Sequence, residues 1–304
     1  NGNWDTPQTV TITGVDDNLI DSTQTSTMTI SVVDAISNDD FDGVADQTVS
    51  VSTTDNDTAG FTVAQSGGST TVAETGSTDT FTVVLNAQPT SNVVISVVSS
   101  DTGEATVSAG TLTFTNGNWD TPQTVTITGV DDNPIDGNQT STVTVSIVDA
   151  SSDDAFDSVP DRTVSVTTLD DDVAGFTLVE SGGSTTVAET GSTDTFTIVL
   201  NAQPASNVVF AISSSDTGEA TVTSALTFTN ANWNTPQTVT VTGVDDNLVD
   251  GTISSTITVS VNDGSSDNNF DPVADQTVTA TTTDNDVAGF TIAQTGGSTS
   301  VAET

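Results

Sequence analysis

The sequence has no cysteine and no histidine, and its only basic residue is Arg162, set against 42 aspartates and glutamates. Without cysteine there are no disulfides and no thiolate chemistry; without histidine there is no imidazole base and little prospect of a zinc site. The absence of lysine excludes Schiff-base chemistry and lysine-to-asparagine cross-links. Nucleic acid finds almost nothing to bind, since phosphate recognition draws on Lys and Arg, and an anionic membrane surface would repel the chain. The longest apolar runs are strand-sized, far short of the roughly 20 residues of a membrane helix. With a formal net charge of -41, the carboxylates cannot be neutralised by internal ion pairs, so they are hydrated, screened by salt or paired with metal cations. Calcium, bound by oxygen alone, stays open.

What is present is repetition. The segment NGNWDTPQTVTITGVDDN fills residues 1–18 and recurs unchanged at 116–133; a variant, NANWNTPQTVTVTGVDDN, fills 230–247. Trp4, Trp119 and Trp233 mark the copies at spacings of 115 and 114 residues, too long for a solenoid unit and right for a small independent domain. Cutting at the recurring Ala-Gly-Phe predicts a partial repeat at 1–57, full repeats at 58–172 and 173–286, and the start of another at 287–304. The chain reads as a window on a longer array, and export to the cell exterior is an inference from that pattern rather than from a leader sequence.

Within a repeat the reading is all strand. Over 58–172, alternating or β-branched runs at 60–64, 69–73, 79–85, 92–98, 111–115, 123–129, 141–148 and 162–168 are separated by turn signals such as Gln88-Pro89 and Asp136-Gly137. Seven or eight short strands in such a span predict an antiparallel β-sandwich, with Val, Ile and Phe inside and Thr and Ser outside. Threonine favours strands yet stays polar, so the outer faces need not be sticky.

The acids recur at fixed places. A Glu follows Val-Ala in Glu74 and Glu189. A Ser-Asp-Thr-Gly-Glu turn carries Asp101 and Glu104, then Asp216 and Glu219. Gly-Val-Asp-Asp-Asn supplies Asp16 and Asp17, Asp131 and Asp132, and Asp245 and Asp246, each followed by a further acid at Asp21, Asp136 or Asp250. A fourth loop holds Asp153, Asp154 and Asp157, matched by Asp267 and Asp271, and reads equally well as a solvated turn. The closing run before each Ala-Gly is Asp55-Asn56-Asp57, Asp170-Asp171-Asp172 or Asp284-Asn285-Asp286. In a sandwich, loops after alternate strands emerge at one end, so several of these clusters can meet there. Two carboxylates about 4 Å apart repel by ~1 kcal/mol in water and ~4 kcal/mol at an effective dielectric of 20. Calcium, taking six to eight oxygens at about 2.3–2.6 Å, would relieve such crowding.

The early Glu (Glu189), the Asp pair after a long strand (Asp131-Asp132) and the closing Leu-Asp-Asp-Asp-Val-Ala-Gly of 169–175 resemble the Calx-β domain family. That resemblance covers each full repeat and implies Ig-like β-sandwich beads on a string. It implies calcium ligands at Glu74, Asp101, Asp131, Asp132 and Asp170 to Asp172, and at their copies. The chain departs from the family in two ways: Asp136-Gly137-Asn138-Gln139 replaces a run of several glutamates, and two of the three closing runs have Asn in the middle, which implies fewer ions or weaker binding.

Two functional classes follow. One is a structural spacer in an extracellular or cell-surface fibre, with calcium stiffening the junctions between neighbouring repeats or copies in a filament. The other is a calcium-dependent adhesion module for glycans or other surface partners. An enzyme is disfavoured because catalytic constellations are usually singular, whereas every acidic cluster here is duplicated. A binding module should show an aromatic loop that breaks the repeat, and none does. A lone Trp per repeat reads as a core anchor sooner than a sugar platform.

Overall fold

The computed structural model describes residues 2–303. They form two compact units: residues up to Asp132 with Asn138–Leu169, and Asn133–Gly137 with the residues from Asp170 onward.

In the first unit, β1 (Gln24–Ile30) and β2 (Gln47–Thr53) make an antiparallel pair. A two-sheet sandwich follows, built from β3 (Phe61–Gln65), β4 (Thr70–Ala73), β5 (Thr78–Leu85), β6 (Val93–Ser99), β7 (Ala105–Val107), β8 (Thr111–Phe114), β9 (Gln123–Gly129), β10 (Gln139–Ile147) and β11 (Arg162–Leu169). One sheet has the order β3-β5-β9-β7 and the other β4-β11-β10-β6-β8. The second unit repeats this plan with β12 (Phe176–Glu180), β13 (Thr185–Ala188), β14 (Thr193–Leu200), β15 (Val208–Ser214), β16 (Ala220–Val222), β17 (Ala225–Phe228), β18 (Gln237–Gly243), β19 (Ile253–Val261) and β20 (Gln276–Thr283), in sheets β12-β14-β18-β16 and β13-β20-β19-β15-β17. Among the described residues the only helices are short 3-10 turns, and none is long and apolar enough to cross a membrane.

The period-2 pattern explains the core. Along β14 the side chains of Phe196, Ile198 and Leu200 point inward, and along β18 those of Val239 and Val241 do, while the intervening threonines face out. A 3-10 turn delivers Phe270 to the same core, as another delivers Phe156 in the first unit. Phe210 packs edge-on between Phe176, at 4.8 Å, and Phe228, at 5.8 Å. Its counterpart in the first sandwich is Ile95, so that trio belongs to the second unit alone. Trp119 and Trp233 pack half-buried against the two cores. Trp4, in the partial repeat, is 87% exposed.

Two features differ from the sequence reading. Each sandwich has nine strands, because β7 and β16, three residues each, directly follow the Ser-Asp-Thr-Gly-Glu turn, where the sequence reads no strand. Each also has one parallel pair: β4 runs beside β11 with Ala73 opposite Leu169, and β13 beside β20 with Ala188 opposite Thr283. The sandwich is therefore antiparallel except at one edge of its five-stranded sheet, and that edge positions the acids.

Candidate metal centre

The second unit contains its whole acidic pole. Because β13 and β20 are parallel, they end together, and the residues that follow, Glu189 and Asp284, leave side by side. The Glu189 N–H donates to the Thr283 carbonyl at 3.1 Å. From the opposite sheet, β18 ends at Gly243, where a Cβ would sit 2.1 Å from the Ala188 carbonyl oxygen; only glycine allows the two sheets to approach so closely beside Glu189. Val244 then donates to the Glu219 carbonyl at 2.8 Å, and the Thr282 hydroxyl donates to the same oxygen at 3.3 Å, so Glu219 enters from the start of β16. Gly129 meets the Ala73 carbonyl in the same way in the first sandwich.

The closing run is shaped by its first residue. Asp284 Oδ1 accepts the Asp286 N–H at 2.6 Å and its Oδ2 accepts the Gly251 N–H at 2.8 Å. The Asn285 backbone N–H donates to Glu189 Oε2 at 3.1 Å, and its side-chain amide donates to Asp245 Oδ1 at 2.9 Å. Asp55 holds the partial repeat in the same manner, accepting from Asp57, Asp21 and Ser22. Asp170 accepts from Asp172 and Gly137.

Two groups of carboxylate oxygens result, each within 4.8 Å of one another: Glu189 with Asp284 and Asp286, and Glu189 with Glu219 and Asp250. Glu189 belongs to both. It is 1% exposed and Glu219 is 6% exposed, yet Glu189 Oε1, Glu219 Oε2 and Asp286 Oδ2 have no hydrogen-bond partner. Buried carboxylate oxygens ordinarily carry a donor or a metal, and the sequence offers no lysine or histidine to supply one. This set of hard, convergent carboxylate oxygens, three of them unpartnered, fits a calcium ion, which these residues would hold.

The protonation behaviour agrees. The Asn285 N–H stabilises the Glu189 carboxylate, but burial and the charges of Asp284, Asp246 and Asp250 outweigh it and push the group up. Burial, reinforced by Asp250 and Asp216, raises Glu219; burial with Asp284 and Asp245 raises Asp286. Asp284 is held down by the N–H groups of Asp286 and Gly251. A carboxyl whose folded value is raised binds more protons in the folded than in the unfolded chain, so it favours folding as pH falls through that value. Without metal, the second sandwich should therefore melt higher at about pH 5 than at about pH 7.5, with the gain lost in stronger acid as Asp284 is protonated. With calcium the slope should invert in that window, because protons compete for the ligands. Thermal melts across pH with and without chelator read both slopes.

The remaining sequence candidates fall into distinct places. In the first unit Glu74, which is buried, and Glu104 each bring an oxygen within 4.8 Å of one on Asp132. Asp136 and Asp170 to Asp172 belong to the second unit, with Asp136 and Asp171 exposed. Asp131, Asp101 and Asp216 are exposed, and the last two turn inward on their own loops, accepting from Gly103 and Gly218 at 2.9 Å. Asp16, Asp17, Asp55 and Asp57 line one cleft of the partial repeat together with Asp21.

The fourth loop has a structural task. Asp153 is buried and accepts from the Thr90 hydroxyl at 2.6 Å, the Ser91 N–H at 2.8 Å and the Ala155 N–H at 3.1 Å; Asp267 does likewise with Ser206 and Asn269. Burial raises the Asp153 carboxyl, but these donors more than offset it and hold it low. The loop meets the residues before β6, whereas Asp101 and Glu104 follow β6, so it closes the opposite end of the sandwich.

A scan against protein-family models returns no match, and a search of the curated proteins returns none. Among solved structures, the chain is similar to CBD12 of CALX1.2 (15% identity, covering 65% of this chain and 79% of that one, TM-score 0.28). It is also similar to domains 4 and 5 of the S-layer protein SbsC (16% identity, 73% and 97% covered, TM-score 0.30) and to the apo-form Calx CBD1 domain (19% identity, 37% and 98% covered, TM-score 0.28).

Proposed function

We propose that the chain is a structural segment of an extracellular or cell-surface fibre whose repeats bind calcium at one pole, and that the ion fixes the peptide leading into the next repeat. The observation that carries this reading is the pair Glu189 and Glu219: both buried, each with one carboxylate oxygen that has no hydrogen-bond partner, and both within reach of Asp250, in a chain whose one basic residue, Arg162, belongs to the other unit. Folding accepts such crowding where an outside ion relieves it. Asp284 and Asp286 also belong to the exit peptide, so an ion held there would restrict the direction in which the chain continues. Trp119 and Trp233 are spent on the cores and offer no platform for a sugar, which favours the spacer over glycan adhesion.

The test is a calorimetric calcium titration of the whole chain beside Glu189→Gln with Glu219→Gln. The double variant should lose the second unit's share of the uptake, and its scattering profile should stiffen less on calcium than the parent's. The parent chain should stiffen on calcium. Full uptake by the double variant, or no uptake by the parent, would refute the reading.

A further inference from the structure

The segment that follows each Asp pair does something the acids do not explain. In the first unit, Asn18, Leu19 and Ile20 lie along Gln88 of the sandwich as a short parallel bridge: the Gln88 N–H donates to the Asn18 carbonyl at 2.7 Å and the Ile20 N–H to the Gln88 carbonyl at 3.1 Å. Ile20 packs half-buried against that sandwich's core. The second unit repeats the arrangement. The Gln203 N–H donates to the Asn133 carbonyl at 2.8 Å, Ile135 packs against the second core, and the Asn269 side chain donates to the Ile135 carbonyl at 3.1 Å.

The receiving corner is built for this. Gln88 and Gln203 follow buried alanines, Ala87 and Ala202, and their side chains are anchored by donating to the Asn116 and Asn230 carbonyls at 2.7 Å each. The following prolines, Pro89 and Pro204, favour extended backbone at the glutamine, whose own N–H and C=O are left for a bridge. Such a pair of main-chain groups invites an added strand. A third copy of the inserted segment, Asn247-Leu248-Val249, meets no such corner among the described residues, and there Leu248 is 62% and Val249 58% exposed. The third segment is nevertheless pre-shaped, since Asp246 Oδ1 accepts the Leu248 N–H at 2.7 Å, as Asp17 Oδ1 accepts that of Leu19 at 3.0 Å.

We infer that Asn-X-Ile/Val after each Asp pair is a plug, and that the Ala-Gln-Pro corner of the following repeat is its socket. Each repeat thus carries the plug near its acidic pole and the socket near its capped end, so the contact is heterologous and propagates from one repeat to the next. The side chain gripping the socket is apolar and the main-chain bonds are neutral, so the contact operates without metal and is separate from the calcium reading.

The test is residue-resolved hydrogen exchange on the whole chain in chelator, comparing the parent with Ile135→Asp and Ile135→Val. A charged side chain cannot stay packed against the second core, so Ile135→Asp should speed exchange of the Gln203 amide by at least about tenfold while β14 and β18 keep their protection. Ile135→Val should leave that amide protected. If Ile135→Asp unfolds the unit, Ile135→Ser is read by the same criteria. Unchanged protection of Gln203 in a folded Asp or Ser variant overturns the plug. Calcium uptake by the same variants should match the parent, because none of the substituted atoms is a ligand.

Discussion

Calcium added to the chelated chain should raise its thermal midpoint by on the order of 10 °C. An ion that binds only the folded state stabilises it in proportion to the logarithm of its excess over Kd, and a hundredfold excess gives a shift of that size in a domain of about 100 residues. The sign is secure because the unfolded chain scatters the ligands: Glu189, Glu219, Asp250, Asp284 and Asp286 span 97 positions and converge only through the fold. Magnesium should do much less, since it demands near-octahedral geometry and sheds water reluctantly. A scan with calcium, magnesium and neither settles it; equal midpoints in calcium and chelator would leave the buried glutamates without a counter-ion and the proposed function without its cause.

Gly243→Ala should destabilise the second sandwich by nearly as much as calcium stabilises it. The new methyl would stand 2.1 Å from the Ala188 carbonyl oxygen and 2.7 Å from its carbon, and backbone cannot swing aside as a side chain does. The sheets would have to part where Glu189, Val244 and Glu219 are knitted together. Loss of stability at the upper end of about 1–3 kcal/mol follows, and calcium affinity should fall at least about tenfold because displaced supports misplace ligands. Gly175→Ala is the control. Its methyl would meet the Asn201 amide nitrogen at 2.9 Å, the end of a side chain that can rotate away, so the loss should be a fraction as large. Chemical denaturation and calcium titration of both variants check the contrast; equal losses would show that the close approach at Gly243 is not what holds the pole.

Much of this architecture is legible in the sequence, and the exceptions have common causes. The long strands announce themselves through alternation, as in Thr193–Leu200, because a half-buried sheet imposes a period of two. β16 is three residues long, too short to show a period. The parallel pairing of β13 with β20 is hidden for another reason: Ala188 and Thr283 are 95 positions apart, and strand direction leaves no local mark. The acids show the same split. All of them are visible as recurrent motifs, yet Asp153 and Asp267, in a loop that reads equally well as a solvated turn, are buried caps, while Glu219, a candidate ligand set in a turn motif, is buried beside Glu189. Local composition is alike in these cases, and only the surroundings differ.

The sequence by itself determined that the chain is repeated, all-β and overwhelmingly anionic, with no resource of its own to neutralise that charge, since these follow from residue identity and short-range periodicity. The tertiary structure alone decided which carboxylates face one another, which are satisfied by backbone N–H groups, and where Ile20 and Ile135 insert. Those outcomes depend on contacts between residues far apart in the chain, and above all on one parallel strand pair and one glycine that let two sheets close around Glu189.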